Sequence, residues 1–289
     1  MNNFHVVTVA TESKHYFPYL VESCKKHGKE LEVLGYGEKW QGFNWRYVKM
    51  IEYLKTLPND HIVCFVDGYD VICCRDLNEI SKVFLEIKEK TGCKMIVGHA
   101  KTSTLTMVNN YMIFGSCNGN LLNAGTYIGY VEDLLVIIES IFNLNPKNEA
   151  DDQVLLTKYC KRTNDINCDT KSELFLTLCY ELQDVSKFVT IDKKTNVVSY
   201  KNENPFFIHA ASCGFLNKML TQLGYSVDGE IKNELTLYLI KKFFIFHLFR
   251  MIKDNLFIII IIIAIIYKRM FIYNFIKSHG KKLLKSIKK

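Results

Sequence analysis

Residues 62–70 read Ile62-Val63-Cys64-Phe65-Val66-Asp67-Gly68-Tyr69-Asp70, five apolar residues running straight into two carboxylates three positions apart. The run is bounded by polar Asn59-Asp60-His61 before it and Gly68 after it. A segment apolar at every position, without alternation, reads as an inner strand covered on both faces, as in a parallel sheet. Such sheets keep their ligand sites at the carboxyl ends of the strands. Asp67 stands at that end, Gly68 lets the chain bend, and Asp70 can turn back toward Asp67. Two carboxylates so placed suit a hard divalent cation such as Mg²⁺ or Mn²⁺. On spacing alone the pattern is weak and favours a local role, since Asp is common at turns and helix caps.

Outward from this strand the pattern alternates. His5–Ala10 reads as a first strand, Tyr16–Lys26 as a helix, Leu31–Leu34 as a second strand and Trp45–Leu57 as a helix ending before Pro58. After the carboxylates, Asp76 can cap a helix to about Lys90 that Gly92 ends, and Lys94–Val97 follows as a strand. Alternating strands and helices build a parallel, helix-covered sheet. The second half is less regular: a polar stretch at 101–120, Leu122–Tyr130, a helix from Val131 to about Phe142, another starting near Asp151, and strands at Phe188–Ile191, Val197–Tyr200 and Phe206–Ile208.

The 289 residues suffice for one substantial core and an appendage. Residues 268–289 hold eight Lys or Arg and no acid; without them the 37 basic residues fall to 29 against 30 acidic ones, so the body is near neutral despite a formal charge of +7. That balance excludes nucleic acid as the expected partner. The ten cysteines show no Cys-x-x-Cys pair and no His at zinc spacing, and read as reduced thiols of a cytosolic protein. The N-terminus reads as a strand rather than a signal peptide. Residues 1–230 are expected to form the catalytic domain and 231–289 a helical tail. Within the tail, Leu256–Tyr267 is twelve apolar residues, eight of them isoleucine, followed by Lys268-Arg269 and a polybasic end. A helix apolar on every side with such flanks is expected to attach to a membrane, the catalytic domain staying cytosolic.

Six short blocks carry a resemblance: Val6-Val-Thr-Val-Ala-Thr11, Val33-Leu-Gly-Tyr-Gly-Glu-Lys-Trp40, Phe65-Val-Asp-Gly-Tyr-Asp-Val71, Leu122-Asn-Ala-Gly-Thr-Tyr-Ile-Gly-Tyr130, Asp151-Asp-Gln153 with Thr157-Lys158, and Ile208-His209. In this order the chain resembles the glycosyltransferase domain of the multifunctional collagen lysyl hydroxylases and, more distantly, the procollagen galactosyltransferases. The resemblance implies an α/β, GT-A-like fold, a Rossmann-type mixed sheet flanked by helices, with the hydrophobic helical tail lying outside it. It also implies a UDP-sugar donor, glucose or galactose, and a protein or glycan acceptor with a free hydroxyl, hydroxylysine of a collagen-like chain among them.

On the matching positions, Asp67, Asp70 and His209 fall where the family holds its metal, and an imidazole among carboxylates favours Mn²⁺ over Mg²⁺. Tyr69 matches the residue that stacks on uracil, Trp40 an aromatic of the same pocket, and Arg46 a family lysine near the diphosphate. Thr8 and Thr11 could meet the uracil edge. Asn123, Ala124 and Gly125 match a loop beneath the donor sugar. Asp151 and Asp152 match an acidic run facing sugar and acceptor, with Asp152 the candidate to orient the acceptor hydroxyl or take its proton; both are also plausible helix caps. After the histidine the family reads Gly-Asn-Gly-Pro-Thr-Lys where this chain reads Ala210-Ala-Ser-Cys-Gly-Phe215, and Lys218 is the candidate replacement for the missing lysine. Two other readings follow. One is a membrane-associated protein that binds UDP-sugar without turnover; the other, a nucleotidyltransferase, lacks a Gly-rich phosphate loop at Thr11-Glu-Ser-Lys-His15.

Overall fold

The computed structural model describes residues 3–212, 214–242, 255 and 260–270. In chain order the elements are β1 (Phe4–Val9), α1 (Phe17–Lys26), β2 (Leu31–Leu34), α2 (Trp45–Leu54), β3 (Ile62–Val66), β4 (Val71–Cys73), α3 (Ile80–Thr91), β5 (Met95–Thr102), α4 (Thr104–Phe114), β6 (Leu122–Tyr130), α5 (Val131–Asn143), α6 (Asp152–Cys160), β7 (Ile166–Asp169), β8 (Phe175–Cys179), β9 (Thr190–Ile191), β10 (Val198–Ser199), β11 (Phe207–His209), α7 (Asn217–Gln222) and α8 (Glu230–Lys242). Nine strands form one mixed sheet in the order β2-β1-β3-β6-β5-β8-β11-β4, with β7 beside β5.

All five residues of β3 are buried because the sheet is covered on both sides. Val63 and Phe65 face a core with α2, α5 and α6, while Ile62, Cys64 and Val66 face a second core with α1 and α3. That double cover explains the unbroken apolar run. The neighbours differ from the expected all-parallel arrangement, however: β3 is parallel to β1 but antiparallel to β6, and β4 runs antiparallel to β11. A buried strand looks the same in sequence whichever way its neighbours run.

Several local expectations meet a physical reason. Gly92 ends α3 with a left-handed φ of 67° and donates its N–H to Lys88. Gly68 acts otherwise than expected. Its φ is not positive; a Cβ there would lie 3.0 Å from Thr8 Oγ1 and 3.2 Å from Ala10 Cβ, so it is small to let the turn pass over β1. The polar stretch at 101–120 contains α4, whose N-cap Ser103 accepts from Thr106 N–H. The expected strand at Phe188–Ile191 shortens to β9, preceded by a 3₁₀ turn at Val185–Lys187.

Two expectations are corrected. Cys117 and Cys160 form a disulfide, so the cysteines are not all reduced thiols; such bonds persist in oxidising compartments and are rare in the cytosol, which overturns the cytosolic placement. Among the described residues no helix is long and apolar enough to cross a membrane. Residues 260–270 are helical, about 16 Å at 1.5 Å per residue against a hydrocarbon core of ~30 Å. This corrects the membrane attachment expected at 256–267. Residues 256–259 and the basic end at 271–289 lie outside the described residues, as does Cys213. The chain divides into two units, Met1–Leu239 and Ile240–Lys289.

Candidate metal centre and donor site

Three strand ends converge on one point. Asp67 follows β3, and its N–H donates to the Gly125 carbonyl of β6 at 2.8 Å. Asp70 immediately precedes β4, which pairs with β11 so that Val71 stands opposite His209, and the Asp70 carbonyl accepts from Ala210 N–H at 2.8 Å. These backbone bonds bring His209 Nε2 to 3.1 Å from Asp70 Oδ1 and 3.7 Å from Asp67 Oδ2. One ligand atom from each residue lies within 4.8 Å of the others. Gly125 forms the floor. A Cβ at that position would stand 2.4 Å from Asp67 Oδ2 and 2.5 Å from His209 Cε1, so a larger residue would fill the corner between them.

The electrostatics of this corner call for a cation. Burial pushes the Asp67 carboxyl above its ordinary range; Arg46 counters that, and Asp70 adds to it. Burial pulls the His209 imidazole down, but the charge and hydrogen bond of Asp70, with Asp67 behind it, carry it above its usual value. Two carboxylates and a buried imidazole on so small a centre fit a divalent metal ion, by donor chemistry and by the space Gly125 leaves open.

Arg46, the second residue of α2, is not a solvated helix-face charge. Its side chain is 9% exposed; one Nη bonds Asp67 Oδ1 and the other bonds Asp152 Oδ2. The guanidinium also lies over the rings of Phe43 and Phe65, at 5.6 and 5.7 Å. The adjacent acids on α6 do different things. Asp151 is the N-cap, its Oδ1 accepting from Val154 N–H at 2.9 Å. Asp152 is buried, and burial pushes its carboxyl up to about 6, with Arg46 opposing and Asp151 assisting the shift.

The remaining expected residues fall into a nearer and a farther group. Asn123 Oδ1 accepts from Gly125 N–H at 3.0 Å and its Nδ2 donates to Gln153 Oε1 at 3.3 Å. Gln153, adjacent to Asp152 in the sequence, thus braces the wall formed by Asn123 beside Gly125, a role the sequence reading did not give it. Tyr69 Oη accepts from the N–H groups of Thr11 and Glu12, at 2.9 and 3.3 Å, and Lys14 Nζ sits 5.3 Å from its ring centre; Tyr69 and Thr11 therefore belong to one rigid edge. Thr8 is fully buried under Gly68, its Oγ1 without a partner among the described residues. Trp40 is 39% exposed and meets Phe43 and Trp45 edge-on at 5.7 Å. Lys218 is exposed on α7; its N–H donates to Asp184 at 2.7 Å, and its ammonium forms no ion pair among the described residues. A cavity of about 600 Å³ beside Lys26, Arg75, Glu203 and Tyr225 includes none of the site residues.

Comparison with known proteins follows the same lines. The family model described as the PLOD GT domain matches residues 1–236, in agreement with the resemblance carried by the six sequence blocks. The chain is 27% identical over 210 residues to a procollagen-lysine,2-oxoglutarate 5-dioxygenase of Drosophila melanogaster, covering 67% of this chain and 28% of that protein. It is 26% identical over 248 residues to a multifunctional procollagen lysine hydroxylase and glycosyltransferase of Caenorhabditis elegans, covering 78% and 33%. The chain thus spans about a third or less of the length of the curated relatives it matches. Among solved structures, a glycosyltransferase involved in the glycosylation of the major capsid of PBCV-1 is similar at a TM-score of 0.43 and 12% identity, over 81% of this chain and 98% of that one.

Proposed function

We propose that this chain, which belongs to the PLOD GT domain family, is a metal-dependent glycosyltransferase that moves glucose or galactose from a UDP-sugar to a hydroxyl acceptor, with hydroxylysine of a collagen-like protein the leading acceptor class. The observation that carries this reading is the meeting of Asp67, Asp70 and His209 where the ends of β3, β4 and β11 converge. These three residues would hold Mn²⁺. The bound ion would supply positive charge to the departing diphosphate, the charge that develops as the sugar leaves. Tyr69, its hydroxyl fixed by Thr11 and Glu12, offers a pre-oriented ring for the base, and Trp40 a second, more exposed aromatic surface. Asn123 and Gly125 leave a small-residue floor where a hexose would sit.

Donor binding without turnover is the second reading, favoured by the exposed position of Lys218, which forms no ion pair among the described residues. UDP release from UDP-glucose and UDP-galactose with Mn²⁺, measured for the full chain and for Asp67→Ala and Asp70→Ala, separates the two. Metal-dependent release lost in both variants supports the transferase. UDP and Mn²⁺ binding by calorimetry without release supports the silent form, and pyrophosphate in place of UDP would turn the reading to nucleotidyl transfer.

A further inference from the structure

Arg46 is a buried cation shared between two carboxylates that belong to different elements. Asp67 gives it Oδ1 and keeps Oδ2 toward His209 and Gly125. Asp152, the first residue of α6, meets the other Nη with Oδ2 and is itself 6% exposed. The guanidinium carbon lies 5.6 Å from the Phe43 ring centre and 5.7 Å from that of Phe65, and a planar, two-ended donor is what a bridge between two carboxylates requires. The positive charge facing Asp67 is therefore divided. Half of the guanidinium's hydrogen-bonding capacity at its two η nitrogens is directed at Asp152.

From this geometry, and resting on the metal-dependent reading above, we infer that Asp152 is a positioning residue that works through Arg46: it draws the guanidinium partly away from Asp67, so that Asp67 keeps an oxygen free to hold a divalent cation. A proton acceptor for the incoming hydroxyl needs an open lone pair and reach to that hydroxyl; a buried carboxylate engaged with Arg46 is better built to tune a charge. The signs follow from electrostatics. Removing the charge of Asp152 leaves Arg46 undivided against Asp67 and weakens cation binding. Removing Arg46 relieves the competition and strengthens cation binding, while leaving two buried carboxylates unpaired in the metal-free protein. With Arg46 gone Asp152 has nothing to act through, so removing both leaves cation affinity where the Arg46 substitution alone sets it.

The test is a double-mutant cycle on the full chain with Asp152→Asn, Arg46→Met and the pair, read as Mn²⁺ affinity by electron paramagnetic resonance without donor, beside UDP release titrated to saturating Mn²⁺. Asp152→Asn should weaken Mn²⁺ binding by roughly tenfold, the scale of one charge–charge coupling in a partly buried site, so that UDP release by this variant needs about tenfold more Mn²⁺ for half of its own maximum. In the Arg46→Met background the same substitution should change Mn²⁺ affinity by less than about twofold, a plainly non-additive cycle. Loss of kcat with unchanged Mn²⁺ affinity would assign Asp152 to proton transfer and overturn the inference, as would additive effects. Should Asp152→Asn fail to fold, Arg46→Met against the wild type still tests the competition: tighter Mn²⁺ binding is expected, and binding no tighter than wild type overturns the inference. If the wild type binds no Mn²⁺ at all, the metal-dependent reading falls first and separately.

Discussion

The body of β3 and the turn that follows it are neighbours in sequence and opposites in physics. Ile62 to Val66 are buried on both faces of the sheet among apolar partners, where each side chain adds stability by leaving water. Asp67 to Asp70 stand next to them with two carboxylates near one imidazole, a cluster that burial and like charge make unfavourable without a counter-ion. The comparison teaches that the strand supplies the rigidity and the turn draws on it. A carboxylate pair of this kind persists because the backbone of β3, β6 and β11 leaves it nowhere else to go.

The largest expected effect lies on the turn. Asp70→Ala should lower metal-dependent UDP release by more than about a thousandfold, roughly 4 kcal/mol in barrier, while the melting temperature of the metal-free protein holds or rises, because a repelling charge has been removed from beside Asp67. A parallel fall in stability and activity would break the contrast between the two regions. The Cys117–Cys160 bond, spanning 43 residues, ties the end of α6 to the segment before β6, so it clamps the wall carrying Asn123 and Gln153. Cys117→Ser should cost about 2–4 kcal/mol in denaturant unfolding. Val63→Ala, on the strand side of the comparison, should cost about 2 kcal/mol of stability through lost burial and a residual cavity, with Mn²⁺ affinity unchanged by calorimetry; a weakened metal site would show that the turn relies on this one side chain.

The smallest effect concerns pH. Burial, then Lys101, pulls the His99 imidazole down to about 4, below its unfolded value. Its contribution is therefore present above about pH 6.5 and lost as pH falls toward 4. Since the ring is partly exposed, about 1 kcal/mol is expected after allowance for solvent screening. In His99→Gln, the slope of unfolding free energy between those pH values should flatten by that amount.

Much of the scaffold was legible in the sequence. The apolar run of β3, the α5 helix and the glycine that closes α3 follow from patterns read within a few residues. So does the placing of Asp67 and Asp70 at a strand end. The short β4 and β7 were not read, nor was β8, although Phe175-Leu-Thr-Leu-Cys179 is an apolar run of the same kind as β3. The α4 helix was hidden because its residues form no apolar stripe and sit in a polar surrounding. Arg46 was read, from the resemblance, as lying near the diphosphate, and its burial between two acids could not be foreseen from a helix face.

What the sequence by itself determined is the strand bodies β1, β2, β3, β5 and β6 in their chain order and the turn that carries two carboxylates, because each depends on side chains within one element or its caps. The tertiary structure alone decided that β6 runs against β3, that Gly125 must be small to face Asp67 and His209, that Cys117 finds Cys160, and that Arg46 joins Asp67 and Asp152. The last two contacts cross 21 and 106 residues of chain. Their partners are chosen by the packing of whole elements, which fixes where a guanidinium can reach, and no local pattern encodes that distance.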